Sequence, residues 1–250
     1  MADTHRWPAS WLSKEKGRPI EGSICATIWP TRALASGERW FDELYLWTEG
    51  FNASTTQRAR IQAAALDTAF QMLECEKIDR VGATLSFGTV ERLLDYLVGS
   101  FEAHELVSHR IAILLRGSIQ RMRSRYRIRV FRDHLRDQNV LVGYLLTAAD
   151  ASMERRALEF LQPDFARLVA PNSSRREAWE DLMLEAQVAG VPTDRLIVSG
   201  LHSRSQVELA VRMGIPFGQG SAVVPSFAPP HLPRATSSSL PQSGATPWAP

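Results

Sequence analysis

The sequence predicts an α/β protein whose strands close into a TIM-like (β/α)8 barrel. Three observations lead there. Strand-like apolar runs recur eight times along the chain. Helical periodicity fills most of the gaps between them, and 250 residues is a length that such a barrel commonly fills as one unit. Alternation of this kind builds a largely parallel sheet, and eight strands suffice to close it.

In chain order, residues 1–22 show no period and are read as an irregular N-terminal segment, with Trp7 and Trp11 folded back onto the domain. The barrel is expected over 23–225. Its strands are assigned to "SICATIWP", "RWFDELYLW", "RVGATLS", "HRIAILLRG", "NVLVGYLLT", "DFARLVAP", "DRLIVSG" and a short run at "QGSAVV". The stretch "TTQRARIQAAALDTAFQMLECEK" follows the cap candidates Asn52 and Ser54 and carries apolar residues at three- and four-residue spacing, the pattern of an amphipathic helix. Further helices are read at "TVERLLDYLVGSF", "SMERRALEFL", "SSRREAWEDLMLEAQVAG" and "SRSQVELAVRMG". The last two end in Gly190 and Gly214, which suits a left-handed C-cap. The tail, 226–250, holds six prolines and five serines in 25 residues, too little apolar material to offset its ordering entropy, and is expected to be disordered.

Composition excludes several classes. At 44% hydrophobic and 22% charged, with a net charge of +2, the chain is an ordinary globular protein without a global polyanion signal. Cys25 and Cys75 are its two cysteines. They make no disulfide framework, so a reducing cytoplasm is the expected compartment. The N-terminus lacks the apolar core of a signal peptide. The longest apolar run, "NVLVGYLLTAA", is too short to span a membrane.

The chemistry of a (β/α)8 barrel sits at the C-terminal ends of its strands. Taken in order, those ends resemble the EAL-domain family, bacterial phosphodiesterases of cyclic di-GMP, over roughly residues 24–225. "IWPTRALASG" is similar to the family's Tyr-Gln-Pro-Ile-Val-Asp-Leu-x-x-Gly, "ELYLW" falls where its Glu-Ala-Leu-Leu-Arg stands, and "ATLS" matches its Asn-Leu-Ser. "SGLHSRSQVELAVRMGIPFGQG" follows its Glu-Gly-Val-Glu-Thr, helix, Gly, Gln-Gly run for more than twenty residues.

The resemblance implies an EAL-type barrel with its first strand reversed. It also implies an active site in which carboxylates and an asparagine hold Mg²⁺ or Mn²⁺, hard cations that demand oxygen ligands. At the matched positions this chain is degenerate. Glu43 keeps the signature glutamate and Gln219 the glutamine. Thr84 replaces the asparagine, Leu114 a liganding glutamate, and Leu145 and Leu146 the paired aspartates. Arg167 stands for the lysine and Val169 for an aspartate, while Ser199 and His202 replace two glutamates. A guanidinium stays protonated and cannot act as a base, and one carboxylate does not balance a metal pair. The expectation is therefore no catalysis, no metal and no cofactor: a regulatory module that acts by binding a protein partner.

Two alternatives stay open. The first is a receptor that binds cyclic di-GMP without cutting it, through Trp47, whose indole could stack on guanine, and Arg167, which could meet a phosphate. The second is a residual phosphodiesterase, with Asp150 or Asp164 as a displaced ligand. Separately, "RMRSRYRIRVFRDHLRDQ" holds seven arginines. On a helix Arg121, Arg125, Arg129, Arg132 and Arg136 share a face, with Met122, Tyr126, Val130 and Leu135 as apolar partners. That face is the candidate partner surface. Nucleic acid is not expected there, because aromatic interleaving is limited to Tyr126 and Phe131. The resemblance also allows a homodimer, since relatives often pair through barrel helices. His104 and His109 miss the spacing that would put both on one helical face, and are read as packing or surface residues.

Overall fold

A reversed strand closes the sheet. The structure, a computed structural model, describes residues 5–8, 23–50, 52–76, 78–118, 124–146, 151–173 and 175–224. Strands β2 (Ser23–Ala33) and β3 (Arg39–Glu49) form an antiparallel hairpin. β4 (Val81–Ser86), β5 (Ile111–Arg116), β6 (Leu141–Leu145), β7 (Phe165–Val169), β8 (Leu196–Ser199) and β9 (Phe217–Gln219) then follow β3 in parallel, each beside its predecessor. β9 returns to β2 and pairs with it antiparallel at Thr31–Ala33. The ring is complete, with β2 as its one reversed member.

Part of the segment read as irregular is also a strand. β1 (His5–Pro8) pairs with the other half of the same β2 edge, at Ser23–Ala26. β3 pairs with β4 only over Asp42–Leu44 but with β2 as far as Glu49. Tyr45–Glu49 therefore run on past the last pairing with β4, toward the end where the parallel strands finish. Trp11 and the tail 226–250 lie outside the described residues.

Helices α1 (Thr55–Glu74), α2 (Phe87–Ala103), the short α3 (Glu105–Ser108), α4 (Arg125–Asp137), α5 (Ala151–Leu161), α6 (Arg176–Val188) and α7 (Arg204–Arg212) form the outer layer. Of the two cap candidates Ser54 caps α1, in a reciprocal box with Gln57. Ser203 and Gln206 repeat the device at α7. Gly190 and Gly214 take φ of +86° and +75° just past α6 and α7, as their C-terminal positions require.

The main core lies between strands and helices, where Leu66, Phe70, Phe101, Phe131 and Trp179 are fully buried. A smaller cluster of Phe41, Ala112, Leu114, Phe165 and Ile197 fills the lumen. The last strand differs from its reading at "QGSAVV": it ends at Gln219, and residues 221–223 form a turn. Gly220 ends it, at φ +152° and so close to Leu201 that a Cβ would lie 2.2 Å from the carbonyl oxygen.

Candidate functional site

Period-two alternation sends Glu43 of β3, Thr84 of β4, Leu114 of β5, Arg167 of β7 and Gln219 of β9 into the lumen. Glu43 is their hub. Thr84 Oγ1 donates to its Oε1 at 2.7 Å, and Gln219 Nε2 donates to its Oε2 at 3.0 Å. Arg167 Nη1 reaches across the barrel to the same Oε2 and forms an ion pair. Gln219 also reaches the Trp29 carbonyl on the reversed strand, at 3.1 Å. One carboxylate thereby ties β3 to β4, β7 and β9, and through Gln219 to β2.

The pair is buried, with side chains 4% exposed for Glu43 and 12% for Arg167. Burial pushes the Glu43 carboxyl up. The Arg167 charge and the hydrogen bonds from Thr84, Gln219 and Arg167 outweigh it and hold the pKa below the ordinary value. Glu43 is thus an anion with a built-in counter-cation.

Beneath it the lumen is packed. Trp40 stacks on Phe217 at 4.1 Å between ring centroids and meets Phe165 edge-on at 5.3 Å. Phe41 lies 5.8 Å from Phe165. Space for these rings comes from glycines on the adjacent strands. A Cβ on Gly143 would meet the Phe165 ring at 2.2 Å, and one on Gly82 would meet Phe41 at 2.8 Å. The remaining cavity, lined by Thr31, Glu43, Leu114 and Arg167 among others, measures about 10 Å³, at the threshold for a single water.

The remaining matched positions scatter. Leu145 is half-buried against the lumen cluster, whereas Leu146 joins the outer core. Val169 is 59% exposed. Ser199 Oγ donates to the Leu168 carbonyl at 3.1 Å, and the exposed His202 ring lies 3.1 Å from Ser221 Oγ. Trp47 is half-buried on the part of β3 past its pairing with β4, its ring 5.9 Å from that of Tyr45, while Arg167 is turned inward to Glu43. Asp164 accepts a hydrogen bond from the Val142 amide at 2.8 Å. That contact is at the start of β7, away from the strand ends. Asp150 lies outside the described residues.

A divalent metal pair does not fit this donor set. Glu43 is the one carboxylate among the residues lining the cavity, and its oxygens are already bonded to Arg167, Gln219 and Thr84. Among the described residues no group of three or more His, Cys, Asp or Glu side chains could hold a metal ion. No described helix is long and apolar enough to cross a membrane.

Sequence reasoning missed the aromatic plug and the part played by Trp29. The available signal was a glycine within two otherwise apolar strands, Gly82 and Gly143, which marks a close approach by a large side chain of the neighbouring strand.

On the arginine-rich helix, Ser124 caps α4 and Ile128, Phe131 and Leu135 are buried. Val130 packs partly buried against the core, but Tyr126 is 74% exposed rather than an inward apolar partner. Arg132 donates to the Phe160 carbonyl at 2.5 Å, and Arg136 to that of Gln162 at 2.7 Å. These two cap the end of α5. Arg125 and Arg129 remain exposed; Arg121 and Met122 lie outside the described residues.

By sequence the chain matches no family model and no curated protein. By structure it is similar to the PaMucR phosphodiesterase in its c-di-GMP complex, with a TM-score of 0.64 at 16% identity over 82% of this chain and 96% of that one. An EAL domain protein from Listeria monocytogenes gives 0.64 at 13% identity, covering 82% and 88%. The S helix-GGDEF-EAL part of Vibrio cholerae LapD, bound to c-di-GMP, gives 0.61 at 12% identity. This chain covers 79% of itself and about half, 52%, of that longer one. At such identities the likeness shows the fold: the barrel is of EAL type.

Proposed function

We propose that this EAL-type barrel is a regulatory module that does not hydrolyse cyclic di-GMP and acts by binding a protein partner. The observation that carries the reading is the Arg167–Glu43 pair inside a filled lumen. Hydrolysis of a phosphodiester by a metal pair needs clustered anionic ligands and an open coordination position. Here the signature glutamate is neutralised by a fixed guanidinium, and no second carboxylate among the described residues lines the cavity around it.

A second reading rests on a separate feature. The Tyr45 and Trp47 rings lie together near the C-terminal end of β3, where an aromatic face could stack on a purine. PaMucR and LapD were both solved with c-di-GMP bound. In that reading the module is a cyclic di-GMP receptor whose contacts come from Trp47 rather than from the engaged Arg167.

One experiment separates the readings. The protein is titrated calorimetrically with cyclic di-GMP, with and without Mn²⁺, and the nucleotide is then chromatographed. Intact nucleotide and no heat leave the protein-binding module. Intact nucleotide with saturable heat that Trp47→Ala removes establishes the receptor. Linear dinucleotide product would overturn both in favour of a residual phosphodiesterase.

A further inference from the structure

We propose that the cavity between the C-terminal ends of α5 and α6 binds a small amphipathic anion, a short aliphatic chain that ends in a carboxylate. The cavity measures about 410 Å³, within the range of small-molecule sites, against the about 10 Å³ left in the lumen. It lies beside the first residues of β7 and β8, at the opposite end of the barrel from the strand ends where the family's chemistry sits.

Small residues make the space. Ala166 of β7 alternates with the lumen-facing Phe165 and Arg167 and so faces the helices. Neither it nor Ala189, at the end of α6, fills the gap between them. Both are buried, as is Val191, and together they form an apolar floor. Phe165 is the one aromatic residue of the lining. Its ring is already engaged by Trp40 and Phe41, so the site favours a flexible chain over a planar ligand.

Two fixed turns form the walls. Between α5 and β7, Gln162 takes φ of +47°. Its amide donates to the Leu158 carbonyl at 2.7 Å, and its own carbonyl is held by Arg136 at 2.7 Å. Between α6 and β8, Gly190 takes φ of +86°. The Val191 amide there donates to the Ala186 carbonyl at 3.0 Å, and the Arg195 amide to that of Pro192 at 3.1 Å. Each turn also contains a proline, Pro163 or Pro192. Walls pinned in this way need little ordering on binding, a cost otherwise subtracted from the affinity.

The rim sets the sign of the ligand. Arg155, Glu159 and Gln162 line the cavity from one face of α5. Arg155 and Glu159 pair with each other at 3.2 Å and cancel. Arg195, just before β8, is exposed and has no ion-pair partner among the described residues. Two helix C-termini converge here, and bare carbonyl ends would favour a cation. At α5, however, Arg132 and Arg136 take up the carbonyls of Phe160, Leu161 and Gln162. At α6 the amides of the turn bond those of Glu185, Ala186 and Gln187. The uncancelled charge is therefore the Arg195 guanidinium, whose fork matches a carboxylate, while an aliphatic chain covers the floor. Cyclic di-GMP, with two phosphates, does not match this rim.

The test is isothermal titration calorimetry of the full chain with octanoate, octylamine and octanol in turn. No cyclic di-GMP is present, so the outcome stands or falls separately from the proposed function of the barrel. Octanoate is expected to give saturable heat and octylamine none. Octanol keeps the chain without the charge and should bind at least ~10-fold more weakly. Arg195→Glu should weaken octanoate by a similar factor, and Arg195→Lys should recover part of the loss, since it keeps the charge but not the fork. Ala189→Leu, which fills the floor, should abolish the heat with unchanged circular dichroism. Should that variant misfold, Arg195→Glu on the exposed rim carries the test alone. Arg204→Glu on α7 is the control and should change nothing. No saturable heat from octanoate, equal affinity for octanol or octylamine, or a site indifferent to Arg195→Glu would each overturn the proposal.

Discussion

Arg167 and Glu43 lie 124 positions apart in the chain, yet each is the other's principal electrostatic partner. Removing one partner of a buried pair leaves an uncompensated charge, so Arg167→Ala should cost about 3–5 kcal/mol in chemical denaturation. Arg167→Lys should fall between, since it keeps the charge but loses the fork. The same pair sets a pH dependence. The folded-state pKa of Glu43 is depressed below the ordinary value of 4.5. Its contribution is therefore fully present above about pH 4.5 and is lost as pH falls through the lower folded value. Glu43→Gln should flatten the acid limb of the stability–pH curve, and an unchanged limb would count against the pair. At this scale the sequence was legible in kind. The substitutions at the matched positions could be read one by one, but not that Arg167 had turned inward to the surviving glutamate. That depends on which residues of eight separate strands share the lumen.

Single elements were the most legible level. The parallel strands are covered on both faces, so they appear in the sequence as nearly continuous apolar runs, and the serine caps stand where side-chain oxygens must receive free amides. The last strand was misplaced because "QGSAVV" has strand-like composition, while its end is dictated by Gly220 pressed against Leu201. β1 was missed because a four-residue strand carries no period. Lumen packing gives a prediction for β6: Gly143→Ala would drive a methyl group into the Phe165 ring and should cost about 1–3 kcal/mol. Phe165→Leu in the same chain should recover part of that loss. Equal destabilisation by Gly143→Ala with Phe165 or Leu at 165 would show that the clash is not the cause. At the start of α1, Ser54→Ala removes one arm of the capping box and should cost about 1 kcal/mol.

For the whole molecule, closure depends on β2, whose single edge is shared between β9 and β1. The internal cation that crosses the lumen belongs to the chain itself. Thermal unfolding should therefore be the same in EDTA and in millimolar Mg²⁺ or Mn²⁺. A rise of several degrees with either metal would reveal a site that binds the folded state and would contradict the reading of Arg167.

The filled lumen also resists conversion into a metal site by single substitutions. A single carboxylate placed at Leu114 or Leu145 would stand amid packed apolar side chains. Replacing Arg167 first would strand Glu43 without a partner. Each first step passes through a barrel with a lone buried charge, a handicap comparable to much of a domain's total stability. The outside of the barrel can therefore diversify freely, whereas a metal centre in the lumen is out of reach of any route that changes one residue at a time.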